Sequence, residues 1–182
     1  MKVLVAGGLT PGFEKGNAEE VCARAIGRAL ASSGHVLLNG SYNDFDRIVA
    51  ESALEAARAN PDFGDPKMAI HTYLSPGVTP AHRLGLVRNL NVNSWDPGQP
   101  EWGIPEPLRE CEALIVMGGG PATHRVVHLT RLVGKPILPN HSLRRSREGG
   151  VPNRMGKIRI VLRRASASVP RDHGFGFDDQ QS

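Results

Sequence analysis

The chain has 182 residues, 40% of them apolar, which is enough for one domain with a sizeable core and too short for two ordinary domains. No apolar run approaches the roughly 20 residues that span a bilayer, and the apolar start at residues 3–6 is too short for a signal-peptide core. The net charge of +4 arises C-terminally: residues 1–140 carry 13 Lys+Arg against 14 Asp+Glu, and residues 141–182 carry 9 against 4. We therefore expect a cytoplasmic protein, not a membrane protein, and the near-neutral body argues against nucleic acid as its partner.

Three short apolar runs and two amphipathic segments alternate in the first part of the chain. Residues 2–6, 35–38 and 67–74 predict buried strands, because each is a compact apolar run. Apolar residues recur every three or four positions within residues 17–34 and 44–60, which predicts two helices. Because parallel strands need such crossovers, the pattern predicts an α/β protein: a Rossmann-like, doubly wound, mostly parallel sheet with helices on both faces.

Polar residues at the helix starts and the two cysteines refine this picture. Asn17 and Asp44 carry side chains suited to helix N-caps. Cys22 lies inside the first helical pattern and Cys111 just before a later apolar run. These positions suit small core residues in a reducing compartment better than a disulfide.

The least regular stretch is residues 75–107, which contains both tryptophans. Long irregular connections in compact domains are often functional, so we predict a lid over the ligand site. Within it we predict a short helix in residues 79–92, with a short strand at residues 90–92. Arg83 and Arg88 of this stretch are candidate ligands for a phosphate or carboxylate, and the alternative is that both are solvated.

The stretch of residues 113–139 predicts a strand, a glycine turn, a helix and a second strand. Apolar runs at residues 113–117 and 137–139 predict the strands, and the amphipathic residues 121–133 predict the helix between them. A short helix at residues 107–111 is expected to lead into the first of these strands. This order is typical of a parallel α/β sheet.

Three runs of small residues follow predicted strands and are expected at one edge of the sheet. Glycine allows close approach of a ligand to the backbone, and the first N–H groups of a helix bind phosphate or carboxylate. Each run alone would also suit a tight turn, but together the three runs predict a nucleotide-type site. We expect Gly119→Val to abolish ligand binding at this site without unfolding the domain. The candidate ligand-binding residues of this edge are Gly7, Gly8, Asn39, Gly40, Ser41, Gly118, Gly119, Gly120, Thr123 and Arg125.

Other motifs do not lead to an assignment. Neither the GxGxxG dinucleotide motif nor a GxxxxGK[ST] phosphate loop occurs, so no cofactor is indicated. His124 and His128 share a helix face, but HExxH is absent and no third ligand is evident, so no metal site is predicted. Tyr73 and Trp95 either stack on a base or pack in the core. No catalytic residue can be assigned.

Residues 3–8, 37–54 and 113–139 resemble the SLOG superfamily, which includes the LOG cytokinin-activating phosphoribohydrolases, once called lysine decarboxylases. LOG enzymes carry Pro-Gly-Gly-x-Gly-Thr-x-x-Glu after the corresponding strand. The matching stretch from Met117 to Arg125 is Met-Gly-Gly-Gly-Pro-Ala-Thr-His-Arg. Two glycines are retained, the motif is incomplete, and Arg125 stands where the family has its catalytic glutamate.

The resemblance implies a Rossmann-like SLOG-type domain over residues 1–140 that takes a nucleotide or nucleotide-derived ligand. Loss of the carboxylate favours binding, as in a sensor or carrier, over catalysis. The alternative is a nucleoside-monophosphate phosphoribohydrolase or a related enzyme that cleaves an N-glycosidic bond. The sequence leaves the ligand open, and a homo-oligomer remains an alternative to a monomer.

Residues 141–182 are basic and polar and predict a poorly structured tail, apart from one candidate strand at residues 157–162. We expect deletion of residues 143–182 to change the free energy of unfolding little, because few apolar residues there can offset the entropy of ordering. Chemical denaturation of both chains measures this. A cooperative loss of folding on deletion would show that the tail is integral to the domain.

Overall fold

The computed structural model describes residues 1–12, 14–90 and 104–139. The strands are β1 (Lys2–Gly8), β2 (Val36–Asn39), β3 (Ile70–Leu74), β4 (Leu86–Asn89), β5 (Ala113–Gly118) and β6 (Ile137–Pro139). The α-helices are α1 (Ala18–Ser32), α2 (Asp44–Ala57), α3 (Glu106–Glu110) and α4 (Pro121–Leu132), and a 3₁₀ turn covers Pro66–Ala69.

The described strands form one sheet in the order β4-β3-β2-β1-β5-β6, and every neighbouring pair is parallel. The chain builds outward from β1 to β4, then crosses to the other side of β1 for β5 and β6. The strand order therefore reverses between β1 and β5, and ligands of such sheets bind at the carboxyl ends of the strands at this point. The predicted doubly wound α/β fold is confirmed.

Alternate residues of β1 enter two cores, one on each face of the sheet. Val3 and Val5 belong to the core beneath α1 and α2, whereas Leu4 packs with Leu108 of α3 and Leu129 of α4. This alternation follows from the two-residue period of a strand and explains why β1 is apolar throughout. Helices lie on both faces, as predicted. Cys22 and Cys111 are buried in these cores and are not joined in a disulfide.

The described helices include none that is both long and apolar enough to cross a membrane.

The N-caps of the two long helices agree with the sequence in one case and differ in the other. Asn17 caps α1, and its side chain accepts a hydrogen bond from the Glu20 N–H at 2.9 Å. The cap of α2 is Asn43 and not Asp44, because the Asn43 side chain accepts the Asp46 N–H at 3.1 Å. Asp44 is the first helical residue, and its carboxylate lies 3.0 Å from the Arg47 guanidinium.

The boundaries of β1 and β3 differ from the prediction by two or three residues. The strand predicted at residues 67–74 begins only at Ile70, because Asp65 caps the 3₁₀ turn by accepting the Lys67 N–H at 2.9 Å. The first strand is longer than predicted: β1 continues through Gly7 and Gly8, which pair with Met117 and Gly118 of β5. The first glycine pair thus belongs to a strand and not to a turn.

The helix predicted in residues 79–92 is absent from the described residues 79–90, which form a loop and β4. The Ser41 hydroxyl donates to the His82 carbonyl at 2.6 Å and accepts the His82 N–H at 2.8 Å, and Thr72 donates to the Leu84 carbonyl at 2.6 Å. These bonds satisfy backbone groups that a helix would satisfy internally. The strand predicted at residues 90–92 does not include Leu90, since β4 ends at Asn89, and residues 91 and 92 lie outside the described part.

Lys135 ties the end of α4 to the end of α3. Its ammonium donates to the carbonyls of Leu108 at 2.6 Å, Arg109 at 2.8 Å and Cys111 at 2.6 Å. The last carbonyls of a helix have no intrahelical partner, so this ammonium satisfies them. We expect Lys135→Met to lower the free energy of unfolding by about 2 kcal/mol, because charge-assisted hydrogen bonds are lost.

Urea denaturation of this variant beside Lys67→Met measures the effect. Lys67 is exposed, so its substitution should change the free energy of unfolding by less than about 0.5 kcal/mol. Equal stabilities of the two variants would contradict a structural role for the Lys135 ammonium.

Candidate functional site

A cavity of about 1000 Å³ opens at the carboxyl ends of β1 and β5, where the strand order reverses. Residues from β1, the connection to α2, β5 and the first turn of α4 line it. The structure brings together most of the residues that the sequence pointed to. Those that line the cavity are Gly7, Gly8, Gly40, Gly118, Gly119, Gly120, Thr123 and Arg125.

The turn between β5 and α4 places helix N–H groups at the cavity. Gly118 and Gly119 adopt φ values of +57° and +94°, which side-chain-bearing residues rarely adopt. Gly120 is the N-cap of α4 and provides no side-chain acceptor, and Pro121 follows it. The N–H groups of Ala122 and Thr123 in this first turn have no intrahelical partner. The turn is therefore suited to hold an anionic group.

The glycines of this edge differ in what a side chain would meet. A Cβ at Gly7 would overlap the Met117 carbonyl and lie 2.8 Å from the Phe45 ring, so Gly7 is required by packing. A Cβ at Gly119 would overlap the Thr123 side chain and sit at a strained φ. Gly119→Val therefore strains the fold itself and does not isolate ligand binding, contrary to our expectation from sequence. A Cβ at Gly120 meets no atom within 4 Å.

The start of α2 supplies a second wall that the sequence analysis missed. Tyr42, Asn43 and Asp46 line the cavity opposite the glycine turn. Asn43 and Asp46 form a capping box: Asn43 accepts the Asp46 N–H, and the Asp46 carboxylate accepts the Tyr42 N–H at 2.7 Å and the Asn43 N–H. The Asn43 amide also donates to the Gly7 carbonyl at 3.2 Å. The Asn-x-x-Asp spacing after β2 is a local signal that could have revealed this box.

Asp46 is a buried carboxyl, 5% exposed, that borders the cavity. Burial raises the pKa of this carboxyl to about 7, while the two backbone N–H bonds act in the opposite direction. No salt bridge to Asp46 is found among the described residues. The carboxyl therefore titrates near neutral pH in the folded protein.

The raised pKa predicts a pH dependence of stability. The folded state holds the Asp46 proton more tightly than the unfolded state, so this stabilisation is complete below pH 4 and is lost as the pH rises through 7. Between pH 5 and pH 8 we expect the wild type to lose about 2–3 kcal/mol more than Asp46→Asn, which cannot titrate there. His82, whose pKa burial lowers to about 4, contributes equally to both proteins. Urea denaturation at the two pH values measures the difference, and parallel losses would contradict it.

The remaining charged groups at the cavity are Glu19 and Arg125, as far as the described residues extend. The Glu19 carboxylate accepts the Thr10 N–H at 2.7 Å and the Thr10 hydroxyl at 2.6 Å, which fixes the loop after β1. Arg125 lies in the first turns of α4, beside the glycine turn. Among the described residues, the cavity lining thus carries one arginine, on α4, and two carboxyl groups, on α1 and α2.

Four of the residues predicted from sequence do not line the cavity. Asn39 donates to the Asp46 carbonyl at 3.1 Å, and Ser41 bonds to His82. Both residues therefore stabilise the cavity wall without lining the cavity. The Arg88 guanidinium lies 3.3 Å from Glu106, pairs with Glu110 and stacks over the Tyr73 ring, with its carbon 5.6 Å from the centroid. Arg83 is exposed and outside the cavity lining.

The other functional candidates are also located. Tyr73 lines the cavity but is buried, whereas Trp95 lies outside the described residues. His124 and His128 are exposed on α4, and the described residues contain no group of three metal-ligating side chains. None of the described residues 75–90 lines the cavity, whereas Pro107, at the end of the stretch predicted as a lid, does. Residues 91–103 of that stretch lie outside the described residues.

The fold and the cavity define the class: a Rossmann-like α/β protein with a ligand-sized cavity at the topological switch point. No family model and no curated protein sequence matches the chain. Among solved structures it is similar to the structural-genomics target TM1055, with a TM-score of 0.56 and 19% identity over 75% of this chain and 71% of that chain.

The chain is also similar to the Moco carrier protein from Chlamydomonas reinhardtii, with a TM-score of 0.55 and 19% identity over 76% of this chain and 74% of that chain. Another structure of the molybdenum cofactor carrier protein from this alga gives a TM-score of 0.52 at 19% identity, with the same coverage. At this identity the similarity shows the fold alone. It is the Rossmann-type fold that the SLOG resemblance implies.

Proposed function

We propose that the protein is a divergent member of the SLOG superfamily that binds a nucleotide or nucleotide-derived ligand as a carrier or sensor. The observation that carries this proposal is the cavity of about 1000 Å³ at the junction of β1, β5 and the start of α4, which has no side-chain cap. Small-molecule sites have volumes of about 300–1,000 Å³, so a nucleotide fits. The similarity to a carrier protein for a small molecule supports a binding role.

The charges at the cavity suggest how such a ligand would lie. Its phosphate would contact the Gly119 and Gly120 turn and the free N–H groups of the first turn of α4, with Arg125 as counter-charge. Its base would then extend toward the walls formed by β1 and α2.

A panel of ligands tests the proposal. The wild type would be incubated with AMP, GMP, IMP, CMP, UMP and molybdenum cofactor, and the thermal shift, calorimetric affinity and released base would be recorded. We expect at least one compound to raise the melting temperature and bind stoichiometrically, because a ligand that binds only the folded state stabilises it. Absence of binding by the whole panel would contradict the proposal.

An N-glycosidic bond-cleaving enzyme is the second candidate. Arg125 replaces the glutamate of the LOG motif, but the cavity contains the carboxyls of Glu19 and Asp46. A carboxyl with a pKa of about 7 has the titration range of a general acid. Release of free base by the wild type, lost in Asp46→Asn, would establish this alternative, whereas the carrier or sensor role predicts binding without release.

The remaining proposals concern the domain boundaries, the location and the partners of the protein. We propose that residues 1–140 are the ligand-binding domain, that residues 141–182 are a basic appendage, and that the protein acts in the cytoplasm. Nucleic acid is not the proposed partner, because the basic excess lies outside residues 1–140. A homo-oligomer is retained as an alternative that light scattering distinguishes.

A further inference from the structure

Tyr42 is a partly exposed aromatic side chain at the cavity. It is 40% exposed, whereas Tyr73, which also lines the cavity, is fully buried. Its ring packs directly on Gly40, where a Cβ would overlap the ring atoms Cδ2 and Cε2, and its hydroxyl hydrogen-bonds to the Ser75 hydroxyl at 2.5 Å. The ring is therefore held at both ends and offers a fixed aromatic surface to a planar ligand.

Asp46 bonds to the backbone N–H of Tyr42 and has unused acceptor capacity. Its carboxylate accepts the N–H groups of Tyr42 and Asn43, but a carboxylate has about four lone-pair sites. It is 5% exposed and borders the cavity, and no cation pairs with it among the described residues. A buried carboxylate is costly unless further donors reach it, so N–H donors of a ligand would satisfy it.

We infer that Tyr42 and Asp46 form the base-recognition part of the cavity and select a heterocycle with adjacent N–H donors. Guanine presents such a pair at N1 and the 2-amino group, hypoxanthine presents only N1–H, and adenine presents an acceptor at N1. The ring would stack on Tyr42 while its donors bind Asp46, and the phosphate would lie at the α4 end. This inference rests on the proposed function, because it assigns the base to the same cavity.

Calorimetric titrations with GMP, IMP and AMP at pH 8, above the pKa of about 7 of the Asp46 carboxyl, test the inference. We expect the wild type to bind GMP about tenfold to a hundredfold more tightly than AMP, with IMP between them, because charge-assisted hydrogen bonds discriminate by this amount. Asp46→Asn should reduce the GMP preference over AMP to less than about threefold. Asp44→Asn is the matched control: Asp44 is exposed on the same helix, pairs with Arg47 and does not line the cavity, so this variant should retain the preference.

Tyr42 is tested by two substitutions that do not depend on the helix cap. Tyr42→Phe keeps the ring and should bind GMP nearly as tightly as the wild type does. Tyr42→Leu should lower the affinity for all three nucleotides about tenfold. A circular dichroism spectrum of each variant verifies that it is folded.

The outcomes separate this inference from the proposed function. Equal affinities for GMP and AMP, or an unchanged preference in folded Asp46→Asn, would overturn the inference and leave nucleotide binding intact. An unchanged affinity in Tyr42→Leu would overturn the role of the ring. If none of the three nucleotides binds, the inference is overturned. The proposed function is contradicted only if the other ligands of the panel also fail to bind.

Discussion

Gly120→Val should weaken nucleotide binding at least about a hundredfold while the protein stays folded. Gly120 has φ −118° and ψ −154°, an extended conformation with negative φ, and apart from its chain neighbours its Cβ would meet no atom within 4 Å. The added methyl groups would occupy the cavity in front of the α4 N–H groups. Because valine is a poorer N-cap than glycine, we expect a loss of stability of no more than about 1 kcal/mol.

Gly64→Val is a matched control for this substitution. A Cβ at Gly64 also meets no atom within 4 Å, and the residue lies outside the cavity lining. Calorimetry should show wild-type affinity for Gly64→Val and loss of binding for Gly120→Val. Wild-type affinity in a folded Gly120→Val protein would place the ligand elsewhere.

Substitutions of Arg125 should have the second large effect. If Arg125 is the counter-charge of the phosphate, Arg125→Ala removes a charge-assisted contact worth about 1.5–3 kcal/mol, a loss of roughly tenfold to a hundredfold in affinity. Arg125→Glu should be weaker still, because it sets a carboxylate against the phosphate. Calorimetric titration with the tightest-binding nucleotide of the panel measures both losses. Arg131→Ala, an exposed arginine of the same helix outside this cavity, should bind normally.

Arg125→Glu also restores the residue type of the LOG motif. If this variant retained binding and released free base from a nucleoside monophosphate, Arg125 would not be a phosphate ligand, and the hydrolytic chemistry would be one substitution away. If neither variant changed the affinity, Arg125 would lie outside the ligand contacts.

The strands and helices that could be predicted are those whose formation follows from a pattern of neighbouring residues. The apolar runs at residues 2–6 and 113–117 predicted the two central strands, because strands buried on both faces of a parallel sheet need apolar side chains at every position. The helix stripe and Asn17 predicted α1 in the same way. The glycines at the ends of β1 and β5 could be placed together because parallel strands end at one edge.

Features that depend on distant partners were not predictable. Ser41 hydrogen-bonds to the backbone of His82, 41 residues away in sequence, and residues 79–90 form a loop and β4 in place of the helix predicted in residues 79–92. Arg88 was a ligand candidate by residue type, but its carboxylate partners, Glu106 and Glu110, lie on α3. The burial of Asp46 depends on the sheet beneath α2, although its capping-box spacing with Asn43 was visible in the sequence.

Amide chemical shifts show whether phosphate binds at the turn between β5 and α4. Two-dimensional ¹⁵N–¹H spectra of the labelled protein would be recorded during titration with GMP. We predict the largest, saturable shifts at the N–H groups of Gly119, Gly120, Ala122 and Thr123, with Gly64 unchanged. Saturable shifts confined to other parts of the chain, with these four amides unmoved, would contradict this prediction.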